Sequence, residues 1–296
     1  MEEKTLGDFQ RKTDWLVCVD SDGCVFDTME IKHKECFIPN IIEHWDLQAV
    51  SKYARYAAEY VNLYSKMRGT NRFPALIATI DLLSEWDDVL KRGFKAPDIT
   101  ALRDWVAAET KLGNPALIRY VEAHPDDELM KKTLVWSTAV NDTIAHFVHG
   151  VPPFPYVRES FEKLAGKADI VVVSATPNDA LVREWDEHDI AKYTGFIAGQ
   201  ELGSKKECIR LAKLAGYADD HVIMIGDAPG DRKAARANNA LFCPIVPNRE
   251  DLSWKEFAET GIDMFLSGGF AGGYEDKLNA EFDDSLPDTP WWKSKK

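Results

Sequence analysis

Three short apolar runs constrain the fold of this chain more than any other feature. Each run is rich in apolar residues and ends at a polar one: Trp15–Val19 before Asp20, Ile170–Val173 before Ser174, and Val222–Ile225 before Gly226-Asp227. Short runs of this kind, separated by helical patterns, are typical of buried parallel strands. The sequence therefore predicts an α/β fold whose core is a Rossmann-like parallel sheet. Residues 240–246 and 263–266 are weaker candidates for further strands.

Helices are predicted between the strands of this core. Residues 155–166 begin with a proline and end with a glycine, as helices often do. Residues 204–216 begin with Ser204, a residue that caps helix N-termini, and end with Gly216.

A long helical insert separates the first strand from the second. Apolar residues in 31–149 keep helical spacing, and 125–148 begins with proline and acidic residues, as helix N-termini prefer. We therefore predict an α/β core of residues 13–30 and 150–267, with an inserted α-helical domain at 31–149. Residues 268–296 form a C-terminal extension of unknown role, which could dock on the body or on a second subunit.

The composition excludes two classes of partner. The 296 residues carry a formal charge of −13, whereas nucleic-acid and anionic-membrane surfaces select for clustered Lys and Arg. We therefore expect neither a nucleic acid nor a membrane as partner. No stretch approaches the roughly 18 apolar residues of a membrane span, and the polar N-terminus has no signal-peptide core. The five cysteines are scattered, which indicates reduced thiols in a cytoplasmic protein. The oligomeric state is not predicted.

The predicted sheet brings polar side chains to one edge. Ligands of open parallel sheets bind at the carboxyl ends of the strands, and the residues delivered there are Asp20, Asp22, Ser174 and Asp227. Clustered carboxylates repel one another unless a cation joins them, and a site of oxygen ligands suits Mg²⁺.

Further groups near this edge complete a set suited to phosphoryl transfer. Asp231 follows Asp227 by four residues, and Lys205 or Lys206 supplies a positive charge at the start of the 204–216 helix. Attack by a carboxylate on phosphorus would split the transfer into two easier steps through an aspartyl-phosphate.

Four motifs in this order resemble those of the haloacid dehalogenase (HAD) superfamily, over residues 13–30 and 150–247. They are Asp20-Ser-Asp22-Gly, Ser174 closing IVVVS, Lys205 in GSKKECI, and Gly226-Asp227-Ala-Pro-Gly-Asp231. Cys24 stands where this superfamily most often has threonine. Lys205 is preferred to Lys206 in the third motif because of its distance to Asp227 along the chain.

The resemblance implies a role for each motif residue. Asp20 is the implied nucleophile and Asp22 the general acid/base, while Ser174 and Lys205 hold the phosphate. The implied Mg²⁺ ligands are the side chains of Asp20 and Asp227 and the backbone carbonyl of Asp22, with Asp231 as support behind them.

A finer resemblance lies in the insert. MRGTNRF (67–73) is similar to the specificity loop of the β-phosphoglucomutase-like branch. It implies that Arg68 and Arg72 reach towards the substrate from a helical cap, a lid that closes over the site and excludes water.

The function expected from the resemblance is a Mg²⁺-dependent phosphatase of a small phosphorylated metabolite. A phosphomutase of the β-phosphoglucomutase type would use the same residues and stays open, as does a non-catalytic binding protein on the same fold. A phosphonate hydrolase is disfavoured because no cap lysine is evidently suited to form a Schiff base, although Lys32 and Lys34 stay open. A haloalkanoate dehalogenase is disfavoured, because such enzymes lack the second aspartate, here Asp22.

Overall fold

The computed structural model describes residues 6–293, so the first five residues and the last three of the C-terminal extension lie outside it. The chain divides into two compact units. We call them the core unit, which comprises residues up to Met29 and from Gly150 to Pro287, and the helical unit, which comprises Glu30–His149 and the residues from Asp288 onwards.

The core unit contains a parallel sheet of five strands in the order β3-β2-β1-β4-β5. The strands are β1 Trp15–Val19, β2 Ala168–Val173, β3 Phe196–Ala198, β4 Val222–Gly226 and β5 Leu241–Pro244. The helices of this unit are α9 Val157–Leu164, α10 Asn178–Glu187, α11 Lys205–Lys213, α12 Pro229–Arg236, α13 Glu250–Glu256, α14 Ile262–Leu266 and α15 Gly273–Ser285. The predicted α/β fold and its three main strands are confirmed.

Successive side chains of a strand point to opposite faces of the sheet, and here both faces are covered by other residues. One face packs Val17, Val19, Val172 and Ile225 into a core with Phe161 and Trp185. The other face packs Leu16, Cys18, Val173 and Met224 with Phe242 and Phe282. Both faces are apolar, which explains why the strands appear in the sequence as continuous apolar runs.

One predicted strand is wrong. Residues 263–266 belong to helix α14, in which Ile262 and Phe265 are buried and Asp263 is exposed. The spacing of three between the two buried residues belongs to a helix face and not to the alternation of a strand. The predicted strand at 240–246 is confirmed as β5.

The helical unit has its own apolar core. Its helices are α2 Ile38–His44, α3 Ser51–Asn62, α4 Arg72–Ser84, α5 Asp87–Leu90, α6 Thr100–Ala108, α7 Asn114–Ala123 and α8 Glu128–Phe147. Residues 30–149, all of them described, contain no strand. Helix α1 (Thr28–Ile31) and a π-helical turn (Lys32–Phe37) lead into this unit. The insert predicted at 31–149 falls within this helical unit.

The C-terminal extension is divided between the two units. Helix α15 packs on β5 of the core unit, where Glu275 accepts a hydrogen bond from the Phe242 backbone N–H at 2.7 Å. Residues from Asp288 onwards group with the helical unit, where Trp292 stacks on Trp86. The extension thus docks on its own chain. No helix among residues 6–293 is long and apolar enough to cross a membrane.

Candidate active site

Asp20 directly follows β1, the central strand of the sheet, at its carboxyl end. Its backbone N–H donates to the Ile225 carbonyl of β4 at 3.0 Å. Val19 pairs with Val172 on one side and with Ile225 on the other, so the three strands end within one residue of each other. The Asp20 carboxylate is 5% exposed, and its Oδ1 accepts from the Ser21 backbone N–H at 2.8 Å.

Lys205 joins two carboxylates at this edge. Its Nζ donates to Asp20 Oδ2 at 2.5 Å and to Asp231 Oδ1 at 2.5 Å. Lys205 is the first residue of α11, which Ser204 caps by accepting from the Glu207 N–H. A positive charge is unfavourable at a helix N-terminus, and the negative charges of the two carboxylates offset this effect. Burial alone would lower the pKa of Lys205, but Asp20 and Asp231 outweigh it and raise that pKa above its ordinary value.

The two lysines of the third motif are thereby distinguished. Lys205 contacts the acidic cluster, whereas the side chain of Lys206 is exposed.

Asp231 is fixed by contacts on both of its oxygens. While Oδ1 accepts from Lys205, Oδ2 accepts from the Ala228 backbone N–H at 3.0 Å, at the start of α12. The side chain lies directly against Gly226, where a Cβ would stand 2.5 Å from Asp231 Oδ2. Glycine at position 226 is therefore required by the close approach of Asp231, because real Cβ contacts are never this short.

Asp20, Asp227 and Asp231 form a compact buried cluster. One carboxylate oxygen of each lies within 4.8 Å of the others, and the side chains of Asp227 and Asp231 are both 1% exposed. Burial raises the pKa of Asp20 well above its ordinary value; Lys205 opposes this rise, and Asp231 and Asp227 add to it. One lysine offsets one unit of charge at most, so three ionised carboxylates leave an excess of negative charge in the cluster.

Asp22 is held by two threonine hydroxyls. Thr28 Oγ1 donates to Oδ1 of Asp22, and Thr176 Oγ1 donates to Oδ2 at 2.6 Å. The intervening turn is closed by the Ser21 carbonyl, which accepts from backbone N–H groups at residues 24–26. Gly23 adopts a φ of 75°, the left-handed conformation that glycine accepts without strain.

Ser174 lies at the end of β2 and is linked to Asp22 through Thr176. Its backbone N–H donates to the Ala198 carbonyl of β3 at 3.0 Å, and its side chain is buried. The Thr176 backbone N–H donates to Ser174 Oγ at 3.2 Å, while the Thr176 hydroxyl binds Asp22.

Arg68 and Arg72 both have partners inside the helical unit. Arg68 is 3% exposed, and its Nη1 donates to the Leu63 carbonyl at 3.0 Å. Arg72 Nη1 donates to the Ser137 carbonyl at 2.9 Å, and its guanidinium lies 5.0 Å from the centre of the Phe37 ring. Burial lowers the pKa of Arg72. Neither arginine is a solvated surface residue, and their role towards a substrate stays a prediction.

Sequence reasoning missed Thr28 and Thr176 as functional candidates. Each lies close in sequence to a predicted residue, Thr28 six positions after Asp22 and Thr176 two after Ser174. A search for hydroxyl residues within a few positions of each strand end would have selected Thr176 but not Thr28, which lies nine residues after β1.

The sequence of residues 106–245 matches the model of the family described as haloacid dehalogenase-like hydrolase. The matched segment includes Ser174, Lys205, Asp227 and Asp231, and all four lie at or beside strand ends of the core unit. This segment of the chain is therefore similar to the haloacid dehalogenase-like hydrolases. Asp20 and Asp22 precede the matched segment, and their assignment to the first HAD motif depends on the Asp-Ser-Asp-Gly sequence after β1.

The comparison with solved structures gives matches to HAD proteins at low sequence identity. A HAD-superfamily hydrolase of subfamily IA, variant 1, from Geobacter sulfurreducens is 12% identical, with 78% of this chain and 86% of that chain covered and a TM-score of 0.40. A haloacid dehalogenase-like family hydrolase from Streptococcus pneumoniae is 12% identical, with 82% and 91% covered and a TM-score of 0.43. No curated protein matches the sequence.

Proposed function

We propose that this chain is a HAD-type, Mg²⁺-dependent phosphatase that hydrolyses a small phosphorylated metabolite through an aspartyl-phosphate on Asp20. One observation carries the proposal: the buried Asp20 carboxylate contacts Lys205 within a cluster of three carboxylates. The second carboxyl of the first motif, Asp22, is held separately by two hydroxyls. A nucleophile, a positive charge and an independent proton carrier are what stepwise phosphoryl transfer needs.

The residues at the strand ends fit a magnesium ion. Mg²⁺ prefers oxygen ligands, and the Asp20 and Asp227 side chains with the Asp22 backbone carbonyl would hold it. Both oxygens of Asp231 already accept hydrogen bonds, from Ala228 and Lys205, which suits it to support the site. When bound, the ion would offset the excess negative charge of the cluster and draw the phosphate oxygens to Asp20.

An ionised Asp20 is the form that can attack. Burial raises the pKa of this carboxyl and Lys205 opposes the rise, and a bound cation would further favour the ionised form. Lys205 and Ser174 would bind the oxygens of the phosphate, with Lys205 offsetting their charge.

The reaction then proceeds in two steps at Asp20. In the first step the Asp20 oxygen bonds to phosphorus, the bond from phosphorus to the ester oxygen breaks, and protonated Asp22 gives its proton to the leaving alcohol. In the second step Asp22, now ionised, takes a proton from a water molecule whose oxygen attacks the aspartyl-phosphate and releases inorganic phosphate. Thr28 and Thr176 orient Asp22 for both transfers.

Phosphate release from a panel of phosphorylated metabolites tests this function, with and without Mg²⁺. We expect Mg²⁺-dependent release by the wild-type chain and none by Asp20→Asn. Wild-type release that does not need Mg²⁺, or that persists in Asp20→Asn, would contradict the proposal. Interconversion of sugar phosphates without release of phosphate would instead favour a mutase.

A further inference from the structure

The chain passes between the core unit and the helical unit three times, after Met29, after His149 and after Pro287. The first two passages leave neighbouring points of the core unit. Phe26 forms an isolated bridge with Pro153, and the Phe154 N–H donates to the Val25 carbonyl at 2.9 Å. Two neighbouring connecting segments of this kind can serve as a hinge, because a few residues at the ends of helices or strands absorb the rotation of one unit.

The third passage leaves from a different part of the core unit. It follows α15, which packs on the edge strand β5 and is fastened to α12 by Arg232, whose two Nη atoms donate to the carboxylate of Asp283 at 2.9 and 2.7 Å. Leu286, the residue after this helix, is 1% exposed in the core of the sheet's second face. The chain is therefore fixed to the core unit up to Leu286.

A few residues later the chain is fixed to the helical unit by aromatic rings. Trp292 stacks on Trp86 with ring centroids 4.2 Å apart and an angle of 2° between the planes, and Tyr60 meets Trp292 edge-on at 5.7 Å. The ring of Trp291 lies 5.6 Å from that of Tyr56. Aromatic pairs of this kind add to the free energy gained from burying their apolar area.

Two ion pairs flank this aromatic anchor. Lys66 Nζ donates to Asp288 at 2.8 Å before it, and Lys293 Nζ donates to Glu85 at 2.6 Å after it. Both pairs are exposed and contribute little on their own, so the tryptophans carry the attachment.

The chain between the two anchors is short. Only the residues 287–290 separate Leu286 from Trp291, and an extended chain spans at most about 3.6 Å per residue, or about 18 Å over these five steps. Pro287 and Pro290 stiffen the segment further, since proline fixes φ.

We propose that residues 287–293, which we call the strap, are a conformational restraint that limits how far the helical unit can swing open about the paired passages at residues 29–30 and 149–150. A hinge formed by two adjacent connecting segments leaves one rotation of the helical unit free. A short third connection, which leaves another point of the core unit, opposes this rotation. The strap sets the upper limit of that rotation, and the stacking of Trp292 on Trp86 attaches it to the helical unit. Its role in catalysis rests on the proposed function and on the predicted part of the helical unit as a lid; its mechanical effect does not.

Lengthening the strap tests the proposal while both anchors stay intact. Four or eight Gly/Ser residues are inserted between Asp288 and Thr289, the eight-residue insert adding up to about 29 Å of reach. Spin labels are placed on Leu214→Cys in the core unit and Val135→Cys in the helical unit, both exposed positions in a chain whose native cysteines are buried. Electron–electron resonance then gives the distribution of distances between the labels in the full chain.

We expect the distribution to extend to longer distances with the four-residue insert and further with the eight-residue one. The same eight residues added after Lys296, which leave the strap at its native length, should change nothing. Trp292→Ala, which releases the fastening without lengthening the chain, should give the same extension as the long insert. An unchanged distribution in both insertion variants would overturn the proposal. Because no turnover is measured, a failure here is distinct from a failure of the phosphatase assignment.

Discussion

Lys205 donates to Asp20 across 2.5 Å, from the first residue of a helix to the residue that follows the central strand. The two residues are far apart in sequence, and the same ammonium also binds Asp231. Lys205 therefore influences both the position and the charge of the proposed nucleophile, and the proposed mechanism depends on this ion pair.

Replacement of Lys205 tests its part in phosphate binding and transfer. We expect Lys205→Ala to lower kcat/KM about 100- to 1,000-fold, because loss of one charged donor to a developing phosphoryl transition state is costly. Lys206→Ala is the matched control, since Lys206 is the next residue and its side chain is exposed. Steady-state kinetics with the best substrate of the panel measures both, and an equal loss in the two variants would contradict the assignment of Lys205.

Removal of the hydroxyls that hold Asp22 tests the positioning of the proton carrier. Thr28→Val and Thr176→Val keep the side-chain shape and remove the bonds to Asp22, so we expect kcat to fall about 10- to 100-fold through misplacement of the carboxyl. The pH dependence of kcat should change with it, because the hydroxyl donors favour the ionised form of this carboxyl.

Thr194→Val is the control for this prediction. Thr194 lies in the same unit, and its hydroxyl donates only to the nearby Ala191 carbonyl among the bonds described. If it changed the pH profile as much as the variants at Thr28 and Thr176, the effect would be one of general stability.

A methyl group at residue 226 should disrupt the site by steric contact alone. In Gly226→Ala the new Cβ would stand 2.5 Å from Asp231 Oδ2, which forces Asp231 away from Lys205 and Ala228. We expect a loss of about 1–3 kcal/mol in the free energy of unfolding and a large loss of turnover.

Gly230→Ala makes the same chemical change four residues later. A Cβ at Gly230 meets nothing within 4 Å, and alanine there should stabilise the chain by about 0.4–1 kcal/mol by restricting the unfolded state. Urea unfolding of both variants measures the contrast, and similar destabilisation by the two would show that the close contact with Asp231 does not govern residue 226.

Magnesium should stabilise the folded chain independently of any turnover. At 100 times its Kd a ligand of the native state adds about 2.7 kcal/mol to the free energy of unfolding. We expect Mg²⁺ to raise the Tm of the wild-type chain and to have little effect on Asp227→Asn, which lacks one ligand charge. Calorimetric scans with and without Mg²⁺ provide the values, and an equal rise in the variant would remove Asp227 from the metal site.

The five cysteines should be unreactive in the native protein. All are free and buried, and burial raises the pKa of Cys208 to about 11 and that of Cys18 to about 12. Because the thiolate is the reactive form, we expect no rapid reaction with a thiol reagent at pH 8 and reaction of all five after unfolding. Fast modification of a native thiol would show that one of these residues is accessible.

Much of the core could be predicted from the sequence because its signals are local. The apolar runs of β1, β2 and β4 are buried on both faces, and each is followed by a polar residue at the carboxyl end of the sheet. Strand β3 was not predicted, since it has only three residues, two of them half-buried. The contacts of Thr28 and Thr176 with Asp22 could not be predicted, because they depend on how separate loops meet in space.

The attachment of the C-terminal residues shows the same limit. Two adjacent tryptophans near the end of a chain indicate docking, but not on which surface. Their partners lie more than 200 residues earlier, Tyr56 and Tyr60 on helix α3 and Trp86 between helices α4 and α5.

Detection of a phosphoryl group on Asp20 tests the central claim most directly. Asp22→Asn, which lacks the proton carrier needed to activate water, is mixed with the best substrate of the panel in the presence of Mg²⁺, quenched in acid and digested for mass spectrometry. The account predicts that the peptide containing Asp20 gains one phosphoryl group, and that Asp20→Asn gains none. Phosphate release by the wild-type chain with no phosphorylated Asp20 in any quenched sample of the variant would contradict it.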